Sequence, residues 1–217
     1  WIHVARLIQI HLHQLSDLTC HSLSDRKTQV AERKREVACL RNQLLSQSFE
    51  LPVSDQQVVR TNFGKPYLND YPDFSFNHSH SQNFYALATS KQVQNLGIDI
   101  EELNRKVRFE ALAQHAFHPE ELKYWKMLAY DPEYWFKVWT TKEAVLKASG
   151  LGIRINLNEL NTNLHPEQNG GRCEHPEIGV YAYQNYTLTG CMLTVAWQSE
   201  DSCKGLRFPV IQIHHTV

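Results

Sequence analysis

An α+β fold is predicted by three features of this chain. Segments near 24–47, 107–116, 119–129 and 132–148 read as helices, from apolar residues at helical spacing or from residues that start helices. Short runs near 7–12, 74–77, 84–89, 97–101, 154–157, 178–183, 186–197 and 206–213 read as strands. Hydrophobic residues at 42% and aromatics at 11% suffice for a packed core, which excludes a disordered chain.

In chain order, Leu7-Ile8-Gln9-Ile10-His11-Leu12 alternates like a strand and lacks the continuous apolar run of a signal peptide. The helix at 24–47 follows. At about 100° per residue its Val30, Val37, Leu40, Leu44 and Leu45 form one arc, with Arg41 projecting from the centre. From Ser24 to Arg41 six basic residues face three acids. Arg26, Lys27, Lys34 and Arg35 are assigned to a solvated face, whereas an inward guanidinium at Arg41 requires an anion. The turn-rich stretch 52–73 contains Phe63-Gly64-Lys65-Pro66-Tyr67-Leu68, in which Pro66 holds Lys65 extended and able to aim its amine at a phosphate.

Phe76-Asn77-His78-Ser79-His80-Ser81 ends the strand at 74–77. Its hydroxyls and imidazoles suit phosphate contacts. A Ser/His nucleophile pair is disfavoured, because adjacent strand residues point to opposite faces and no third group is evident. In Gly97-Ile98-Asp99-Ile100-Glu101, period 2 sends the isoleucines to one face and both carboxylates to the other. Two acids on one strand face repel without a cation, and Mg²⁺ accepts one or two carboxylates beside water and phosphate oxygens.

His118-Pro119-Glu120-Glu121 starts a helix, as does Asp131-Pro132-Glu133, while Gly150 is a stop. Between Asp131 and Gly150, residues Trp135, Val138, Trp139, Val145 and Leu146 gather into an apolar arc with Lys142 in its middle and Glu143 inside its edge. Lys147 shares the Glu143 stripe, and Lys137, Thr140, Thr141, Ala144 and Ala148 are expected on a solvated side. Charges on an inner face demand a partner. Beyond Gly152 the chain is expected to be strand-like apart from a Gly/Pro-containing loop at 165–176.

The formal net charge of −1 carries no global bias toward nucleic acid or membrane. Five cysteines without a C-x-x-C pair argue against a disulfide framework and for a reducing cytosol. No segment approaches the roughly 18 apolar residues of a membrane span. Histidine pairs such as His11/His13, His115/His118 and His214/His215 lack zinc-site spacing with cysteine.

Taken together, Gly97-Ile98-Asp99-Ile100-Glu101 and Trp139-Thr140-Thr141-Lys142-Glu143-Ala144-Val145-Leu146-Lys147, with Glu143 following Glu101 by 42 residues, resemble the signature of the 4′-phosphopantetheinyl transferases. The segments at Gly64-Lys65-Pro66 and Asn77-His78-Ser79-His80-Ser81 resemble those of the family's long, pseudo-dimeric members, which activate surfactin synthetase and similar carrier proteins. One departure is His78, where many relatives carry an aliphatic residue.

The resemblance implies two similar α+β subdomains related by a pseudo-twofold, 1–94 and 95–217, with the ligand between them. It implies transfer of the phosphopantetheine arm of coenzyme A to a serine of an apo carrier protein. In that scheme Asp99, Glu101 and Glu143 hold Mg²⁺. Lys142 and Lys147 stabilise developing charge, Glu143 is the candidate base, and Arg41, Lys65, Ser79, His80 and Lys147 contact coenzyme A. A cytoplasmic monomer is expected, without nucleic-acid or membrane partners. The alternative is a non-catalytic module that binds coenzyme A or carrier proteins.

Overall fold

The computed structural model describes residues 5–17, 25–152, 154–199 and 208–216. Ser24, Cys20, Cys203 and the first two residues of the strand expected at 206–213 lie outside them. Strand β1 (Leu7–Gln14) is followed by α1 (Arg26–Phe49), the hairpin β2 (Val58–Arg60) and β3 (Pro66–Leu68), then β4 (Ser75–His80), β5 (Phe84–Ser90) and β6 (Gly97–Glu102). Helices α2 (Phe109–Ala116), α3 (Pro119–Met127) and α4 (Pro132–Ser149) precede β7 (Gly170–His175), β8 (Gly179–Leu188), β9 (Cys191–Gln198) and β10 (Val210–Thr216).

Two four-stranded sheets, in the orders β10-β1-β5-β4 and β6-β9-β8-β7, stack between helices. The alternation of apolar residues explains the stacking. Ile8, Ile10, Leu12, Ala86 and Ala88 of the first sheet pack against Ile98, Ile100, Leu193, Val195 and Trp197 of the second. The opposite face of the first sheet, with Tyr85 and Leu87, is covered by Val37, Leu44, Leu45 and Phe49 of α1. The opposite face of the second is covered by α4.

The layer order is therefore α1, sheet, sheet, α4. Strand β10, from the second half of the chain, runs parallel to β1 with Ile10 beside Ile213 and completes the first sheet.

Strand β6 pairs with β9 along one edge only. On its other edge, side chains of β4 receive its amides: Ile98 N–H donates to Asn77 Oδ1 at 2.9 Å and Ile100 N–H to Ser79 Oγ at 3.3 Å. Side chains rather than a ladder thus join the sheets at this seam, which satisfies donors that would otherwise be costly to bury.

Gly97 is required at the start of β6. A Cβ there would lie 1.9 Å from the Ala144 carbonyl oxygen, so glycine lets strand and helix backbones approach.

Several expectations are corrected. The side of α4 expected to be solvated is instead buried: Lys137, Thr140, Thr141, Ala144 and Ala148 all lie inside. These small or hydrogen-bonded side chains face the sheet, with the Thr140 hydroxyl bonded to Thr194 at 2.8 Å and the Thr141 hydroxyl receiving the Asn185 amide. The arc with Trp135 and Lys142 packs instead on α2, α3 and the segment leading to Leu164. In α1, Val30 is 49% exposed and leaves the predicted arc.

Residues 154–157 are not a strand; a 3-10 turn spans Leu157–Glu159. The expected loop at 165–176 contains β7, whose Gly171 makes room for Tyr183, the ring hydroxyl of which would lie 2.8 Å from a Cβ. The two strands expected at 178–183 and 186–197 divide later, at Gly190 with φ 75°. The polar Asn185 is held inside β8 by its amide nitrogen, which donates to the hydroxyls of Thr141 and Thr194.

Candidate functional site

The solvent-facing edge of α4 and the seam between β4 and β6 place the charged groups. Asp131 caps α4 by accepting the amides of Glu133 and Tyr134, Pro132 occupies its first turn and Gly150 ends it at φ 69°. The register set by those caps brings Glu143 and Lys147 to the face of β6 that carries Asp99 and Glu101. Lys147 Nζ donates to Asp99 Oδ1 at 3.1 Å and to the Ile98 carbonyl at 3.0 Å. Ser79 Oγ donates to the same Asp99 oxygen at 3.1 Å, so Ser79 bridges Asp99 and the Ile100 amide. Glu101 is paired with Arg105, one helical turn's spacing further on, at 2.8 Å.

Electrostatics couple these acids. Burial and then the Asp99 charge push Glu143 up to about 6, with Lys147 opposing and Glu101 adding. Burial and Asp99 likewise raise Glu101 against the pull of Arg105.

Among the described residues, no three His, Cys, Asp or Glu side chains are grouped closely enough to hold a metal ion between them. The three-carboxylate shell implied by the sequence is thus not assembled here, with Lys147 against Asp99 and Arg105 against Glu101. The donor chemistry still fits a hard divalent cation. Asp99 Oδ2 is buried without a hydrogen-bond partner among the described residues, and a cation would relieve the repulsion that raises Glu101 and Glu143. Mg²⁺ needs only one or two carboxylates when water and phosphate complete its octahedron.

Two cavities flank this group. One of about 260 Å³ is a cleft between the halves of the chain, lined by Phe63, Lys65 and His78 on one side and Glu143, Lys147 and Gly150 on the other. A second, of about 1080 Å³, lies between α1 and β4 and is lined by Arg26, Arg33, Lys34, Arg41, Arg60 and His80, among others. The helix face first assigned to solvent therefore supplies Arg26 and Lys34 to a concave basic wall.

Of the remaining candidates, Arg41 is buried as expected, and its anion is Asp55, 2.7 Å from Nη2, with Asn42 Oδ1 receiving Nε and Nη2. Lys65 lines the cleft with its ammonium on the carbonyls of Leu96 at 2.9 Å and Ala148 at 3.0 Å; burial pushes it down to about 8. His80 is exposed at the rim of the basic cavity.

Lys142 is the one charged candidate turned away. Its ammonium is 1% exposed, lies 2.7 Å from Glu121 and donates to the Leu157 and Leu160 carbonyls. Burial lowers its pKa and Glu121 opposes that. The expected role in stabilising phosphate charge is corrected to a core ion pair, since Lys142 faces the α3 side of α4 and Glu143 the cleft.

Two residues escaped the sequence reading, and Asn77 enters it only as part of its motif. Arg60 lines both cavities, Arg105 holds Glu101, and Asn77 holds β6. Only Arg105 had a signal, its spacing of four from Glu101.

A family model of the 4′-phosphopantetheinyl transferase superfamily matches residues 95–195. A second, described as 4′-phosphopantetheinyl transferase, N-terminal, matches residues 1–92. The chain is similar to the 4′-phosphopantetheinyl transferase Sfp of Bacillus subtilis (strain 168), 31% identical over 128 residues, covering 57% of this chain and 54% of the relative. It is similar to the 4′-phosphopantetheinyl transferase HetI of Nostoc sp., 38% identical over 110 residues, 48% of this chain and 46% of the relative. The human L-aminoadipate-semialdehyde dehydrogenase-phosphopantetheinyl transferase is 29% identical over 140 residues, 57% of this chain and 44% of the relative.

The chain thus spans about half the length of the curated relatives it matches. With the two family models meeting near residue 94, where the two sheets adjoin, the chain belongs to the 4′-phosphopantetheinyl transferase superfamily.

Proposed function

We propose that this protein transfers the 4′-phosphopantetheine arm of coenzyme A to a serine hydroxyl of an apo carrier protein and releases adenosine 3′,5′-bisphosphate. The observation that carries this reading is the meeting of Glu143, Lys147 and Asp99 at one wall of the cleft, beside a cavity lined by arginines. A long, polyanionic nucleotide needs that combination of basic cavity and acidic reaction site.

In the reaction, the serine oxygen forms a bond to the phosphorus bearing the pantetheine arm, the bridging P–O bond breaks, and the serine proton passes to a base. Glu143 suits that role because its carboxyl, raised to about 6, sits near neutrality. Arg41, Arg60 and His80 bind nucleotide phosphates from the large cavity, and Lys65 and Lys147 add positive charge from the cleft. Ser79 orients Asp99 and fixes β6. Asp99, with Glu101 and Glu143, would hold Mg²⁺, which would neutralise charge on the pyrophosphate. The free thiols of Cys39, Cys173 and Cys191 support a cytoplasmic setting, in which the protein acts as a monomer.

The test incubates the protein with Mg²⁺, coenzyme A and a panel of apo carrier proteins, and weighs the carriers by mass spectrometry. One phosphopantetheine arm gained by a carrier supports the proposal, and Glu143→Gln and Asp99→Asn should each abolish the gain. Coenzyme A binding without transfer to any carrier would instead leave a binding module.

A further inference from the structure

His78 stands where the two cavities meet, since it and Arg60 line both. On β4 the side chains alternate. Asn77 and Ser79 turn to β6, while His78 and His80 turn toward α1 and the basic cavity.

The His78 ring meets Tyr85 edge-on, with centroids 5.6 Å apart at 87°, and its Nδ1 lies 3.0 Å from the Tyr85 hydroxyl. Tyr85 is fully buried, and His78 is the one hydrogen-bond partner of its hydroxyl among the described residues. A buried hydroxyl donates where it can, so Tyr85 gives its hydrogen to Nδ1. The imidazole proton then resides on Nε2, which has no hydrogen-bond partner among the described residues.

We propose that His78 is a ligand-positioning residue that nothing above assigns: its Nε2–H, fixed by Tyr85, donates to a phosphate oxygen of the nucleotide where it passes from the basic cavity into the cleft. The inference rests on the coenzyme A reading. Burial, and then the charge of Arg41, push the imidazole down to about 3, so the ring is neutral when it donates. A neutral donor suits this place. Arg41, Arg60 and Lys147 already surround it, and a further cation would be repelled by them, whereas an N–H adds a directional bond at no cost in charge.

The experiment measures binding of coenzyme A and of adenosine 3′,5′-bisphosphate by calorimetry for the wild-type protein, His78→Leu, His78→Gln and Tyr85→Phe. Ring ¹⁵N spectra of the wild type are recorded with and without coenzyme A. Loss of one hydrogen bond to a charged oxygen predicts a Kd for coenzyme A about tenfold weaker in His78→Leu.

His78→Gln, whose amide reaches the same point, should stay within about threefold of wild type, and Tyr85→Phe should fall between the two. The spectra should show the Nε2–H tautomer and a shift of Nε2 on coenzyme A addition.

Equal affinity of His78→Leu and wild type, or a proton found on Nδ1, overturns the inference and leaves the transferase reading standing. Absence of coenzyme A binding by the wild type overturns both. Should His78→Leu not fold, the wild-type spectra and His78→Gln decide: an unshifted Nε2, or binding lost in the glutamine variant, overturns it.

Discussion

Lys147 and Asp99 join α4 to β6, the ammonium 3.1 Å from Oδ1 and the other carboxylate oxygen buried without a partner among the described residues. One cation therefore holds the acid that would ligate another. Replacing Lys147 by Met should reduce transfer at least about a hundredfold, the scale of losing one preorganised charge at a reacting phosphate. The same change should cost about 1–3 kcal/mol of stability, because Lys147 is partly exposed but Asp99 is buried and keeps Ser79 as its partner. Transfer rates by mass spectrometry and urea unfolding of one preparation separate the two effects.

Glu121 and Lys142 behave oppositely. Both are almost fully buried, and Glu121 also receives the Thr162 amide and hydroxyl and the His118 amide. Removing one partner, as in Lys142→Met or Glu121→Leu, should cost about 3–5 kcal/mol, whereas the double replacement should recover most of that loss. Denaturant unfolding of the three variants checks this. Transfer by the folded double variant at a rate near wild type would confirm that Lys142 serves the core and not the phosphate.

Gly97→Ala should destabilise the protein by at least about 3 kcal/mol, since the added methyl meets backbone atoms of Ala144 and Ala148 that cannot rotate away. The strand must then retreat from α4, carrying Asp99 from Lys147. Thermal melting together with the transfer assay should show both losses, while Gly179→Ala, where a Cβ meets nothing within 4 Å but φ is 91°, should show a smaller loss of stability and no loss of transfer.

His11 predicts a pH dependence. Burial and the stacked ring of His214 push its imidazole down to about 4 from an ordinary 6.5. The unfolded chain then binds a proton that the folded chain refuses. The stabilisation is complete above pH 6.5 and is lost as pH falls through 4. Stability should decline by up to about 1.4 kcal/mol per pH unit from this group within that window. His11→Phe should flatten the slope there, as measured by urea unfolding at a series of pH values.

Much of this was legible in the sequence where the signal is local. Asp131, Pro132 and Gly150 bound α4 as read, and His118-Pro119-Glu120-Glu121 starts α3 through a capping box. The alternation in Gly97–Glu101 put Asp99 and Glu101 on one face, and the inward Arg41 was visible from the arc around it.

The illegible parts are those in which a residue's meaning depends on a distant neighbour. Angular spacing shows which residues of α4 share a side, not which side meets a sheet, so threonines that look solvated lie under β9. The glycines of β7 look like a loop because what they accommodate, the Tyr183 ring at Gly171 and the Tyr183 carbonyl and Gln184 side chain at Gly170, arrives from another strand.

The sequence by itself determined the helix ends, the pairing of acids on β6 and the motif order that marks the family, because each depends on bonds or periodicities within a few residues. Tertiary structure alone decided that Lys142 turns to Glu121, that Ser79 holds Asp99, that β10 returns to β1, and that His78 stands between two cavities. Those outcomes depend on which buried charges and amides find partners across layers, and only the packed chain brings such partners within hydrogen-bond reach.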